Sequence, residues 1–163
     1  MKNKLNSMRL LEQHNVPYEV VEFPDTLRDA EEIAEVLGIP PYLIYKTLVA
    51  DAEGSSKPFL VMLAANRQLD LKRLAAVSGM KKVRMASHKD AEALTGLKVG
   101  GISALALTHK QWTVFLDQPA TEQQYILVSG GQRGVDLRVP VLDLMRIIRA
   151  RVAEIGRDEG DGG

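Results

Sequence analysis

Apolar positions recur along the chain with two different periods, and the change from one to the other outlines the elements. Leu5, Met8 and Leu11 share helical spacing within residues 3–14, which predicts a first helix. "VPYEVVEF" follows and reads as a strand. In "TLRDAEEIAEVLG", Ala30, Ile33, Ala34 and Leu37 make one apolar helix face. Thr26 and Asp29 have capping-box spacing before it, and Gly38 suits its stop. "LIYKTLVA" and "PFLVMLAAN" flank the turn-rich "DAEGSSK", so the two runs predict a hairpin. "LDLKRLAAVSG" predicts a short helix between Asp70 and Gly79, "KVRMA" a short strand, and "SHKDAEALTG" a helix capped by Ser87 with Asp90 and stopped by Gly96.

The pattern then becomes strand-like in close succession, in "GGISALAL", "TVFLD", "QYILVSGG" and "GVDLRVP". A final helix is expected over about residues 142–155, turning Leu144, Met145, Ile148, Val152 and Ile155 inward. "GRDEGDGG" holds no apolar residue, so residues 157–163 are expected to be a disordered tail behind a domain of residues 1–156. The element order α-β-α-β-β-α-β-α-β-β-β-β-α lacks the strict βα alternation of a Rossmann domain. The fold class expected is α/β (α+β), one domain with a mixed, curved sheet of about seven strands surrounded by helices.

Composition narrows the function. A chain of 163 residues, 45% hydrophobic and 26% charged, fits one ordinary globular domain. Cysteine is absent, which excludes disulfides, thiolate metal sites and a cysteine nucleophile. The N-terminal residues lack the apolar run of a signal peptide, and no run approaches the roughly 20 apolar residues of a membrane span; a cytoplasmic protein is expected. The 21 basic and 21 acidic residues cancel, which argues against coating long nucleic acid through bulk charge. A local basic surface remains open to "LKRLAAVSGMKKVR", which carries Lys72, Arg73, Lys81, Lys82 and Arg84 and no acid.

The usual catalytic sets are missing. His14, His88 and His109 have no ligand spacing, and there is no nucleophile elbow, phosphate loop or dinucleotide fingerprint. Three features stand out instead. Lys46 shares a strand face with Ile44, Leu48 and Ala50; it either snorkels at a strand end or serves a site. Gly100-Gly101 before Ile102 and Ser103 could present backbone amides to a carbonyl or phosphate oxygen, although a plain tight turn is the simpler reading. Ser129, Gly130, Gly131, Gly134, Arg133 and Asp136 make a second glycine-rich connection at a strand end, where sites often form.

In combination, "YKTLVA", "KKVRMAS", "LTGLKVGGIS" and "VSGGQRGVDLRV" resemble the YbaK/EbsC family, the superfamily of prolyl-tRNA synthetase editing domains, in order and spacing from about Val16 to Leu144. The resemblance implies a freestanding aminoacyl-tRNA deacylase. It would remove a mischarged small amino acid, cysteine foremost, from tRNA(Pro) or a related tRNA, with the substrate's own thiol in place of a protein nucleophile. It also implies catalytic roles for Lys46, Gly100, Gly101, Ile102 and Ser103. The substrate would be bound by Thr47, Ser129, Gly130, Gly131, Arg133 and Asp136, and tRNA by Lys72, Lys81, Lys82 and Arg84. Mischarged aminoacyl-tRNA and prolyl-tRNA synthetase are the expected partners, and no cofactor, metal, membrane or DNA. The alternative is a non-catalytic module that binds tRNA or a synthetase. One departure is visible: the family's loop often reads Gly-Gly-Ile-Ser-Pro, and residue 104 here is Ala.

Overall fold

Local capping chemistry sets most of the helix boundaries. The Asp70 side chain accepts a hydrogen bond from the Arg73 amide, and Ser87 Oγ accepts one from the Asp90 amide. Each satisfies an otherwise orphaned N–H of a first turn. The computed structural model describes residues 4–158. Its helices are α1 (Asn6–Gln13), α2 (Ala30–Leu37), α3 (Leu71–Ser78), α4 (His88–Thr95) and α5 (Val141–Ile148). Its strands are β1 (Glu19–Glu22), β2 (Ile44–Ala52), β3 (Phe59–Ala64), β4 (Arg67–Leu69), β5 (Val83–Met85), β6 (Val114–Asp117), β7 (Tyr125–Gln132), β8 (Val135–Pro140), β9 (Arg151–Ala153) and β10 (Gly156–Asp158).

The main sheet runs β1-β8-β7-β2-β3-β6-β9, with β5 added to β2, while β10 and β4 form a small second sheet. It is mixed: β7 with β2, β3 with β6 and β6 with β9 are parallel, and the other pairs antiparallel. The "LIYKTLVA"/"PFLVMLAAN" hairpin forms, with Tyr45 opposite Ala64 and Ala50 opposite Phe59. Apolar side chains cover both sheet faces. The largest core cluster joins Met8 and Leu11 of α1 and Leu144 and Ile148 of α5 to Leu60, Leu116 and Leu137. Smaller clusters gather around Leu63, Leu74 and Ile155, and around Ile33, Ile44 and Leu127.

Four expectations need correction. The apolar run after Gly101 is not a strand. It is irregular as far as Ala104 and then a 3-10 turn, Leu105–Lys110. Ile102, Ala104, Leu105 and Leu107 are all buried, so the run never alternates, and an unalternating apolar run fits a buried turn as well as a strand. Helix α2 begins at Ala30, and Asp29 precedes it without a side-chain cap bond. The last helix stops at Ile148, where Arg149 takes a left-handed conformation, and the chain continues as β9 and β10. Arg157 and Asp158 of the expected tail lie in β10, opposite Gln68 and Arg67; residues 159–163 fall outside the described residues.

The physical reason for the early stop is Asp117. It is fully buried at the end of β6 and accepts hydrogen bonds from the Ile155 and Gly156 amides, each at 3.1 Å, and from Arg67 Nε at 2.8 Å. A continued helix would carry residues 155 and 156 away from this carboxylate and leave it uncompensated in the core. Gly156 fits because a Cβ there would lie 2.5 Å from Asp117 Oδ2 and 2.8 Å from Leu63 Cδ2.

Candidate active site

Strand β2 loses its partner on one edge for part of its length. It pairs with β7 at Ile44 and Tyr45 and with β5 from Ala50 to Ala52. Between those pairings, residues 46–49 border a gap in the sheet. The Val49 carbonyl accepts from the Ala86 amide at the far end of the gap. A cavity of about 500 Å³ occupies this place, within the range of small-molecule sites.

Register brings three of the singled-out residues into one row. Ile44 lies opposite Leu127 and Tyr45 opposite Val128, so Lys46 comes level with Ser129. Ser129 lies opposite Asp136 on β8. With side chains alternating along each strand, Lys46, Ser129 and Asp136 share one face across β2, β7 and β8. All three line the cavity, with Thr47, Gly100 and Ile102. Lys46 is half-buried, and its Nζ donates to the Ala65 carbonyl across a long 3.4 Å.

Two buried polar groups stand in the cavity wall. Thr47 is 8% exposed and its Oγ1 has no hydrogen bond, an arrangement that burial penalises. Asp136 is 5% exposed, and burial alone pushes its carboxyl up to about 7. No neighbouring cation offsets the desolvation of its charged form.

The stability consequence has a definite sign. Between about pH 4 and pH 7 the folded protein holds a proton on Asp136 that the unfolded chain has released, so stability falls as pH rises through this window and is level above it. Asp136→Asn removes the titration. Urea unfolding is expected to give variant and wild type similar stability near pH 4. Near pH 8 the variant should be more stable, by on the order of 4 kcal/mol. Parallel curves from pH 4 to pH 8 would refute this assignment.

The remaining glycine-loop residues frame the cavity instead of lining it. A Cβ on Gly101 would lie 2.9 Å from the Arg133 amide nitrogen, so two backbones meet there and only glycine fits. The Gly101 N–H donates to the Lys98 carbonyl at 2.7 Å and is not free to hold a substrate carbonyl. Arg133 Nε donates to the Val99 carbonyl at 2.7 Å, and the same guanidinium lies 3.9 Å from Glu92. Glu92 accepts from the Val99 amide, which holds its carboxyl below the usual carboxylate range. Arg133 is thus a brace between the two loops. Ser103 is 1% exposed, and its Oγ accepts from the Ala106 amide at the start of the 3-10 turn. Gly130 accepts from Ser7 Oγ through its carbonyl, and Gly131 donates to Ser129 Oγ. Ala104 has φ −63°, the angle proline would impose, so the loop holds that geometry without the ring.

Lys72, Lys81, Lys82 and Arg84 line one further depression of about 510 Å³, where Asp51 and Glu53 interleave with them. Arg84 and Met85 are consecutive in β5, and Met85 lines the sheet-gap cavity, so β5 contributes to both hollows. Arg28 and His88 at the cavity mouth were not among the singled-out residues. Arg28 sits in the segment before α2, where the sequence signals only a helix start, and His88 reads in the same way as a helix start.

Comparison with known proteins places this architecture. The model of the aminoacyl-tRNA editing domain family matches residues 25–147, most of the chain and all of the cavity. The chain belongs to this family. The editing-domain chain is 38% identical over 160 residues to an Enterococcus faecalis protein, EbsC, named for Cys-tRNA(Pro)/Cys-tRNA(Cys) deacylase activity; the match covers 97% of this chain and 96% of that one. It is 32% identical over 100 residues to the proline–tRNA ligase of Geobacter metallireducens, covering 60% of this chain but 17% of the ligase. A crystal structure described as a trans-editing enzyme for prolyl-tRNA synthetase superposes with a TM-score of 0.77 at 25% identity, covering 95% of this chain and 96% of that one. Among the described residues of this editing domain no helix is long and apolar enough to cross a membrane.

Proposed function

We propose that the protein is a trans-acting aminoacyl-tRNA deacylase that clears a mischarged small amino acid, cysteine foremost, from tRNA(Pro). The likeness to EbsC along nearly the whole chain supports the substrate class. The observation that carries the reading is the cavity itself: one lysine, one unpartnered threonine hydroxyl and one buried carboxyl around a gap in the sheet. Of its aliphatic hydroxyls, neither Thr47 nor Ser129 is hydrogen-bonded to a histidine that could activate it as a nucleophile.

The chemistry needs none. The aminoacyl ester is an activated bond, and positioning can supply much of the acceleration. For a cysteinyl ester, the substrate's sulfur attacks its own carbonyl carbon. The new C–S bond closes a thiolactone as the C–O bond to the terminal ribose breaks, and the ribose oxygen takes the proton. Lys46 supplies fixed positive charge at the phosphate-ester end of the substrate. Thr47 Oγ1 and Asp136 meet polar groups of the aminoacyl moiety, and Gly100 and Ile102 are the loop's contribution to the wall.

A panel of tRNA(Pro) charged with cysteine, alanine or serine tests the proposal by release of each amino acid. Cysteine is expected to leave fastest. Replacing the cysteine by 2-aminobutyrate, which lacks the thiol, is expected to stop the fast reaction. Binding of tRNA without turnover on any member of the panel would instead support the non-catalytic module.

A further inference from the structure

A second cavity, of about 520 Å³, lies between the C-terminal ends of α1 and α5 and the 3-10 turn Leu105–Lys110. Its charge is one-sided: Arg146, Arg149 and Arg151 line it, beside His14, and no carboxylate does. Arg146 is paired with Asp143 at 2.8 Å. The guanidinium groups of Arg149 and Arg151 have no hydrogen bond or ion pair among the described residues, and both residues are exposed. Trp112 forms part of the wall, with Lys110 Nζ 5.2 Å from its ring centroid.

The backbone supplies an independent sign. Among the described residues only Asn15, Gln111 and Arg149 combine a side chain with positive φ. Gln111 and Arg149 line this cavity, and Asn15 follows His14, which also lines it. Helices α2, α3 and α4 end on left-handed Gly38, Gly79 and Gly96. Helix α5 ends on Arg149 in the same conformation, one that glycine takes without steric penalty. Strain of this kind gathers where a side chain has a task.

We propose that this cleft is an RNA contact that grips the phosphodiester backbone of the tRNA whose charged end enters the sheet-gap cavity; it rests on the function proposed above. Ala104 lines this cleft and Ile102 lines the other. Their Cα atoms can be no more than about 7.6 Å apart along the chain, so the same loop serves both. The net charge of the whole chain is zero, so phosphate contacts must come from local concentrations of charge. The depression around Lys72 and Arg84 has acids among its cations, and this cleft has none. Exposed guanidinium groups spread along an open wall suit a polymer backbone, which they bind without reading bases.

The test measures binding of uncharged tRNA(Pro) to the full chain by fluorescence anisotropy between about 50 and 200 mM salt. In the variant Arg149→Gly with Arg151→Gln, affinity at low salt is expected to fall about fivefold for each lost charge, and the salt slope by about two. Glycine takes the left-handed position readily, so Arg149→Gly alone should melt no lower than wild type and still bind tRNA more weakly. At saturating Cys-tRNA(Pro), kcat should be unchanged while KM rises. Wild-type affinity and salt slope in the double variant would overturn the proposal. So would adenosine monophosphate bound by the wild type and lost by the variant with tRNA binding intact, since the cleft would then serve a free nucleotide. The binding readout needs no turnover: weakened tRNA binding without deacylation in the wild type would sink the proposed function alone, and deacylation with unaltered tRNA binding would sink the cleft alone.

Discussion

Replacing Lys46 by alanine is expected to slow release of cysteine from Cys-tRNA(Pro) by at least about 100-fold, the size of effect seen when one preorganised charge-stabilising donor is removed from an active site. The residue lies on the one strand whose edge opens into the cavity, level with Ser129 and in one row with Asp136. Its alkyl stem stands between Ile44 and Leu48 on the strand, which restricts where its charge can go. Nothing else in the cavity wall replaces that charge, because Arg28 sits at the exposed mouth. The fold should survive, since Lys46 is only half-buried and its bond to the Ala65 carbonyl is long. Single-turnover deacylation, with thermal melting as the folding control, checks both statements. A folded Lys46→Ala protein with wild-type turnover would remove the lysine from the mechanism.

The largest loss of stability is expected from Asp117→Ala, about 3–5 kcal/mol. Alanine there strips Arg67 of its buried partner and leaves the Ile155 and Gly156 amides without their acceptor. Arg67 keeps only its bond to Asp158, whose side chain is largely exposed, and an exposed partner contributes little. The pairing of β10 with β4 depends on the same knot. Urea unfolding of the variant should therefore begin from a much lower midpoint. A loss under about 1 kcal/mol would mean that the buried carboxylate is not what holds the C-terminal strands.

Local chemistry was the legible part of this chain. Asp70 and Ser87 cap their helices, Gly79 and Gly96 end them, and the hairpin of β2 and β3 follows from two apolar runs around a turn-rich loop. Lys46 was legible for the same reason: alternation alone marks it as a cation on an apolar strand face. The errors came where an apolar run had no period to betray its state. Ile102 to Leu105 is buried without a break, and the run turns instead of extending. Residues 149–155 keep helical spacing, yet Arg151–Ala153 pair as a strand, and the chain just beyond them is drawn in by a buried carboxylate some 40 positions away that collects the Ile155 and Gly156 amides.

The candidate site divides along the same line. The sequence by itself determined a cysteine-free chain, so any covalent chemistry of sulfur must come from the substrate, and it marked both glycine loops and the lysine. Only the tertiary structure decided which of those residues touch the cavity. Gly101, Ser103 and Arg133 turned into framework, because close backbone approach, a turn cap and a loop brace each consume their polar groups. Asp136 became the desolvated carboxyl of the wall and Thr47 its unsatisfied hydroxyl. Their character is a matter of desolvation, and desolvation depends on every element packed around a group, of which a linear pattern records only the nearest.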